Sequence, residues 1–122
     1  MDKNNPEEFA SEVYNRLILF AEKMEMTPAQ LCKEAGLSPS YLTNYAKKSV
    51  KNMRISTLEK LCAALIMSLY EFFSLDITSP QEMNEFFQGR RLVKIYRELD
   101  DEGKQKLLDK MHEMRNSQKS ED

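Results

Sequence analysis

The chain has 122 residues, 41% hydrophobic and 31% charged, a balance that suits one compact domain with an appendage. Three Gly, no Trp and an abundance of Leu, Met, Lys and Glu favour helix over sheet. The net charge of -2 argues weakly against nucleic acid, but its distribution matters more than its sum.

Asn5-Pro6-Glu7-Glu8 reads as a helix start, with Asn5 as cap, Pro6 in the first turn and Glu8 at a capping-box spacing. Phe9, Val13, Leu17, Phe20 and Met24 then recur every three or four residues, one apolar stripe on a first helix. Thr27-Pro28 caps a second helix with Leu31, Cys32 and Ala35 inward, and Gly36 supplies its left-handed exit. Ser38-Pro39 repeats the cap-plus-Pro device for a third helix, with Leu42, Tyr45 and Ala46 inward. The segment from Lys47 to Arg54 is polar and basic and reads as a loop. Ser56 is expected to cap a fourth helix, with Leu58, Leu61, Cys62 and Leu65 on its inner face. Ser68 caps a short fifth, with Leu69, Phe72 and Phe73.

Residues 74–79 make a brief linker, and Ser79-Pro80 opens a further helix. It carries Met83, Phe86, Phe87, Leu92, Ile95, Tyr96 and Leu99, with Gly89 placed to split or bend it. Asp100 or Asp101 caps a last helix with Leu107, Leu108, Met111 and Met114. Residues 116–122 read as a polar, disordered tail. The expected organisation is an all-α fold: a five-helix domain over 1–73, the linker, and a C-terminal helical hairpin over 80–115. Such a hairpin must bury its apolar stripes against its own chain, a second copy or a partner protein. A homodimer is the favoured expectation, through Phe86, Phe87, Leu92, Ile95, Tyr96, Leu99, Leu107, Leu108 and Met111.

Catalysis finds no support. There is no nucleophile-base-acid arrangement, no Gly-rich phosphate loop and no paired acidic motif. Cys32 and Cys62 lie on separate helices with a lone His112 far away, which is not metal-ligand spacing, so no metal or other cofactor is expected. The two thiols read as small buried hydrophobes and His112 as a surface residue. No stretch reaches the roughly 18 apolar residues of a membrane span. MDKNNPEEF lacks the apolar run of a signal peptide, so a cytoplasmic location without a membrane partner is expected.

Binding chemistry is better supported. From Ser38 to Lys60 the cations are Lys47, Lys48, Lys51, Arg54 and Lys60 against the single acid Glu59, a local charge of +4 on an acidic chain. Two short helices joined by a tight Gly-containing turn form a helix-turn-helix unit, whose second helix can enter the major groove of DNA. Ser40, Thr43 and Asn44 fall on one outward side of that helix, opposite Leu42 and Tyr45. Asn can pair with N6 and N7 of adenine, and Thr can bond a base edge or lay its methyl on thymine's. Lys47, Lys48 and Lys51 follow where the chain would leave the groove along the phosphates.

TPAQLCKEAGLSPSYLTNYAKK together with ISTLEKLCAALIMSLYEFF resembles the phage-repressor and Cro-like helix-turn-helix regulators of bacteria and their phages, the xenobiotic-response-element type. Leu31 and Cys32 fill the family's Leu-Ala positions, Gly36, Leu37 and Ser38 match directly, and Leu42 and Tyr45 fill the hydrophobic positions of the recognition helix. The resemblance covers roughly residues 9–73. It implies a lambda-repressor-like domain that binds double-stranded DNA as a transcriptional regulator, most simply a repressor occupying an operator. It implies base-facing positions for Pro39, Ser40, Thr43 and Asn44, and backbone-facing ones for Tyr41 and the segment 47–52, which includes Asn52. Ser38 joins them as the cap of that helix, and Thr27 can offer its hydroxyl to phosphate. The chain departs from the pattern at Ala46–Ser49, where an acid and Gly are usual, at Ile66, where Gly often stands, and at Pro28, where some relatives carry Gln. An antitoxin that autoregulates its operon, or a protein-interaction module with the same fold, are the alternatives.

Overall fold

The computed structural model describes residues 6–48 and 53–120, and within them there is only helix. The elements are α1 (Pro6–Lys23), α2 (Pro28–Glu34), α3 (Tyr41–Lys48), α4 (Ile55–Ala64), α5 (Leu69–Ser74), α6 (Pro80–Glu98) and α7 (Asp101–Ser120). The all-α class is as expected, with a five-helix domain followed by C-terminal helices. The expected cap at Asn5 lies outside the described residues.

Most of each stripe goes where periodicity sends it, but Phe9, expected to head the α1 stripe, is exposed and stacks on the exposed ring of Phe73 at 6.0 Å. Val13, Leu17 and Phe20 of α1, with Met24 just after it, are buried with Leu31 and Cys32 of α2, Leu42 of α3, Leu58, Leu61 and Cys62 of α4, Leu65 at its C-cap, and Phe72 of α5. Phe20 sits at the centre, its ring centroid 5.5 Å from Phe72 at a near-perpendicular angle and 5.3 Å from Phe87. Arg16 fastens α1 to the end of α5. Its Nη1 donates to the carbonyls of Phe72 and Leu75, at 3.1 Å each, and so satisfies acceptors that a helix C-terminus leaves open.

Three helices end in the same way, and only one uses glycine. Gly36 has φ +78°, with Leu37 N–H bonded to Cys32 C=O and Gly36 N–H to Lys33 C=O. Glu25 and Ile66, both at φ +59°, repeat that paired-bond exit after α1 and α4. The residue after each left-handed position is apolar. Met26 and Met67 are buried, and Leu37 packs against the core. That burial offsets the roughly 1 to 2 kcal/mol that a side chain costs in this conformation.

Several expected details change. α4 begins at Ile55 with Arg54 at the N-cap, where no side chain caps it, and Ser56 lies inside the first turn. The Leu58 N–H to Arg54 C=O bond, 3.0 Å, starts the helix two residues early. Gly89 neither splits nor bends α6 into two elements, because a single mid-helix Gly costs only about 1 kcal/mol. Ala46 is exposed rather than inward. α7 runs to Ser120 through the stretch expected to be a polar tail. Its exposed face carries Glu102–Lys106, Gln105–Asp109 and Lys110–Glu113 pairs at helical spacing.

The chain divides into two compact units, one ending at Arg90 and the other beginning at Arg91, so the division falls within α6 and not at the 74–79 linker. Met83 and Phe87 belong to the core of the first unit. Phe87, expected on an intermolecular face, is fully buried against Phe20, so no second molecule can reach it without opening the core. Phe86 is half-buried on the same core, and Arg90 lies 4.3 Å over its ring while pairing with Glu71. In the second unit, Asp100 caps α7 by accepting the Gly103 N–H at 2.7 Å, and Lys104 lies over the Tyr96 ring. No side chain from Arg91 to Lys119 is fully buried.

Candidate nucleic-acid interface

The turn between α2 and α3 is built from local bonds. Thr27 and Gln30 form a reciprocal capping box, Gln30 N–H to Thr27 Oγ1 at 3.1 Å and Thr27 N–H to Gln30 Oε1 at 2.8 Å. Gly36 then turns the chain, and Tyr41 N–H bonds to Ser38 C=O at 3.0 Å, a tight turn leading into α3. The regular helix thus starts at Tyr41, two residues after Pro39.

α3 separates its two faces cleanly. Leu42 is wholly buried and Tyr45 nearly so, with its ring stacked on Tyr14 of α1 at 6.2 Å. Ser38, Pro39, Ser40, Thr43, Asn44, Ala46 and Lys47 are all exposed. Short polar groups able to donate and accept therefore occupy one surface, with a cation at its far end. Tyr41 lies between the two faces. It is half-buried and its hydroxyl is hydrogen-bonded to Thr57 of α4; burial pushes its phenol up from the ordinary value, against the pull of Thr57.

The family model for the Cro/C1-type HTH DNA-binding domain matches residues 16–76, half of the chain. The chain belongs to this family. No curated protein and no solved structure matches it. The matched stretch opens at Arg16 and closes just after Leu75, so it spans the clamp that ties α1 to α5. As a Cro/C1-type protein, the chain is a DNA-binding transcriptional regulator.

Most of the expected site residues are exposed in the Cro/C1-type domain: Thr27 at the N-cap of α2, Ser38, Pro39 and Ser40 in the turn before α3, and Thr43, Asn44 and Lys47 on α3. Thr27 is engaged in its cap, although a hydroxyl that accepts a backbone bond keeps a proton to donate. Lys51, Asn52 and the side chain of Lys48 lie outside the described residues. Sequence reasoning missed two features. Arg54, exposed at the N-cap of α4, follows directly on the basic segment and was visible only as part of a charge count. Ala46 presents a methyl next to Lys47, which the inward assignment concealed.

Cys32 and Cys62 are buried free thiols, as expected, and burial pushes Cys62 up to about 12, which keeps it protonated and inert. His112 is on the surface, with Arg115 at 2.8 Å from its Nδ1. Among the described residues no cluster of His, Cys, Asp or Glu could hold a metal ion, and no helix is long and apolar enough to cross a membrane.

Proposed function

We propose that the protein is a cytoplasmic repressor that places α3 in the major groove of an operator as a homodimer. The observation that supports this best is the sorting of α3: Leu42 and Tyr45 sealed into the core while Thr43, Asn44 and Lys47 face solvent together. Asn44 is the direct reader, by a bidentate pair with adenine, and Thr43 contributes a hydroxyl and a methyl. Lys47, with Lys48, Lys51, Asn52 and Arg54 after it, grips phosphates and supplies affinity with little sequence preference. Thr27 and the Tyr41 edge face the backbone on either side.

Dimerisation rests on the second unit. Leu92, Ile95, Leu108, Met111 and Met114 are exposed apolar residues on two helices that bury little within their own unit. A second copy would cover them and match a two-fold operator. Tyr96, Leu99 and Leu107, half-buried, would complete that face. An antitoxin would instead present the same residues to a toxin.

Selection of bound sites from a random duplex library, followed by the Asn44→Ala variant, tests the reading. A loss of about 1 to 3 kcal/mol on the selected site, with relaxed choice at one base pair and unchanged melting, is expected. Equal weakening on operator and random duplex would leave Asn44 as a backbone contact. No shift of any duplex at low salt would make the domain a protein-interaction module.

A further inference from the structure

The polar side chains that lead into α3 are joined to one another. Ser40 N–H donates to Ser38 Oγ at 3.4 Å, the two hydroxyl oxygens lie 3.1 Å apart, and Asn44 Nδ2 donates to Ser40 Oγ at 3.3 Å. All three residues are exposed. The helix sets the spacing: Asn44 N–H is bonded to Ser40 C=O at 2.8 Å.

A terminal amide is free to rotate and presents either its NH2 or its oxygen to a given direction. Pairing with adenine tolerates only one orientation, with N–H toward N7 and oxygen toward the N6 amino group. An amide that must be ordered on binding loses part of the affinity to that ordering. On free Asn44 one N–H is already committed to Ser40, which leaves the second N–H and Oδ1 as a donor-acceptor pair.

We propose that Ser40 is a positioning residue for base readout and not a reader itself. Either oxygen of the 3.1 Å hydroxyl pair can donate; in the proposed arrangement Ser40 gives its proton to Ser38 Oγ, so its lone pairs face Asn44 and the NH2 end of the amide fits there. Ser38 thereby fixes Ser40, and Ser40 fixes Asn44, before DNA arrives. The inference rests on the proposed reading of adenine by Asn44.

The test uses the full-length protein and a duplex library with a randomised centre, selected by the wild type, Asn44→Ala, Ser40→Ala, Ser40→Thr and the Ser40→Ala/Asn44→Ala double variant. Asn44→Ala should relax one base pair. Ser40→Ala should relax that same base pair by about two- to tenfold, the cost of ordering one released side chain. The double variant should be no worse than Asn44→Ala alone, since Ser40 acts only through Asn44. Ser40→Thr, which keeps the hydroxyl, should restore the preference. Thermal unfolding of all variants should coincide, which separates positioning from a structural role. Relaxation at a different base pair, an additive double variant, or a silent Ser40→Ala beside an effective Asn44→Ala would overturn the positioning role alone. If Asn44→Ala leaves the selected sites unchanged, the adenine reading falls and the positioning role with it.

Discussion

From Val13 to Phe87 the chain closes a core of apolar side chains contributed by six helices, whereas from Arg91 to Lys119 helices of similar amphipathic character bury no side chain completely. The apolar spacing is as regular in Leu107, Met111 and Met114 as in Val13, Leu17 and Phe20. Periodicity therefore marks which face needs cover and says nothing about where the cover comes from. In the first unit it comes from helices brought back by short turns. In the second, two helices cannot cover each other's stripes and stay as exposed as Ile95 and Met114. A segment of that size is too small to be stable through its own core, and the proposed homodimer would supply its cover.

Truncation gives the sharpest contrast. A chain ending at Arg90 keeps every buried residue and should fold as a monomer, with weaker operator binding than the full chain. A chain ending at Ser79 loses Met83, Phe87 and the Arg90–Glu71 pair, and should not melt cooperatively. Circular dichroism melting and sedimentation of both chains decide the matter; a full-length protein that sediments as a monomer at micromolar concentration would break the dimer half of the contrast. Next comes a pair of point variants. Phe87→Ala should cost about 3 to 5 kcal/mol of stability, while Met111→Ser should leave the first unit's melting unchanged and shift only the sedimentation coefficient.

Smaller effects refine the picture inside the first unit. Ile66 holds a left-handed conformation with a branched side chain half-buried on the core. Ile66→Ala loses packing and keeps much of the strain, and should cost about 1 kcal/mol. Ile66→Gly loses the same packing but recovers about 1 kcal/mol of strain, so the glycine variant should melt above the alanine one, the reverse of the usual order in a helix. Smallest in stability terms is Lys47→Ala, on an exposed position. It should weaken all duplexes alike and lower the magnitude of the salt slope by about one; an unchanged slope would remove Lys47 from the phosphate contacts.

Much of the fold and of the site was legible in the sequence because it is written in local chemistry. Thr27-Pro28, Ser68 with Glu71, and Ser79-Pro80 each start a helix by satisfying open N–H groups within four residues. The outward face of α3 follows from helical spacing once Leu42 and Tyr45 are assigned to the core. What was illegible depends on distant neighbours. Phe87 is an aromatic on a C-terminal stripe until Phe20 takes it into the core, and nothing within α6 announces that. Glu25 and Ile66 turn the chain without glycine because Met26 and Met67 find burial beyond the turn. Tyr41 looks like a free phenol until Thr57, on another helix, bonds it. Ser56 was misplaced because a Ser in the first turn of a helix looks, in sequence, like the cap that stands two residues before it.

The clamp between Arg16 and the carbonyls of Phe72 and Leu75 bears on synthesis as well as on the finished fold. The bonded residues are 56 and 59 positions apart, and a nascent chain leaves the ribosome N-terminus first. At about 5 to 20 residues per second, α1 waits on the order of 3 to 12 seconds for the carbonyls that hold it. During that interval α1 lacks the carbonyls of Phe72 and Leu75, and α3, made by Lys48, precedes the core residues of α4, α5 and α6. A message cut between those points thus yields a product that carries α3 on an unfinished core, open to proteases.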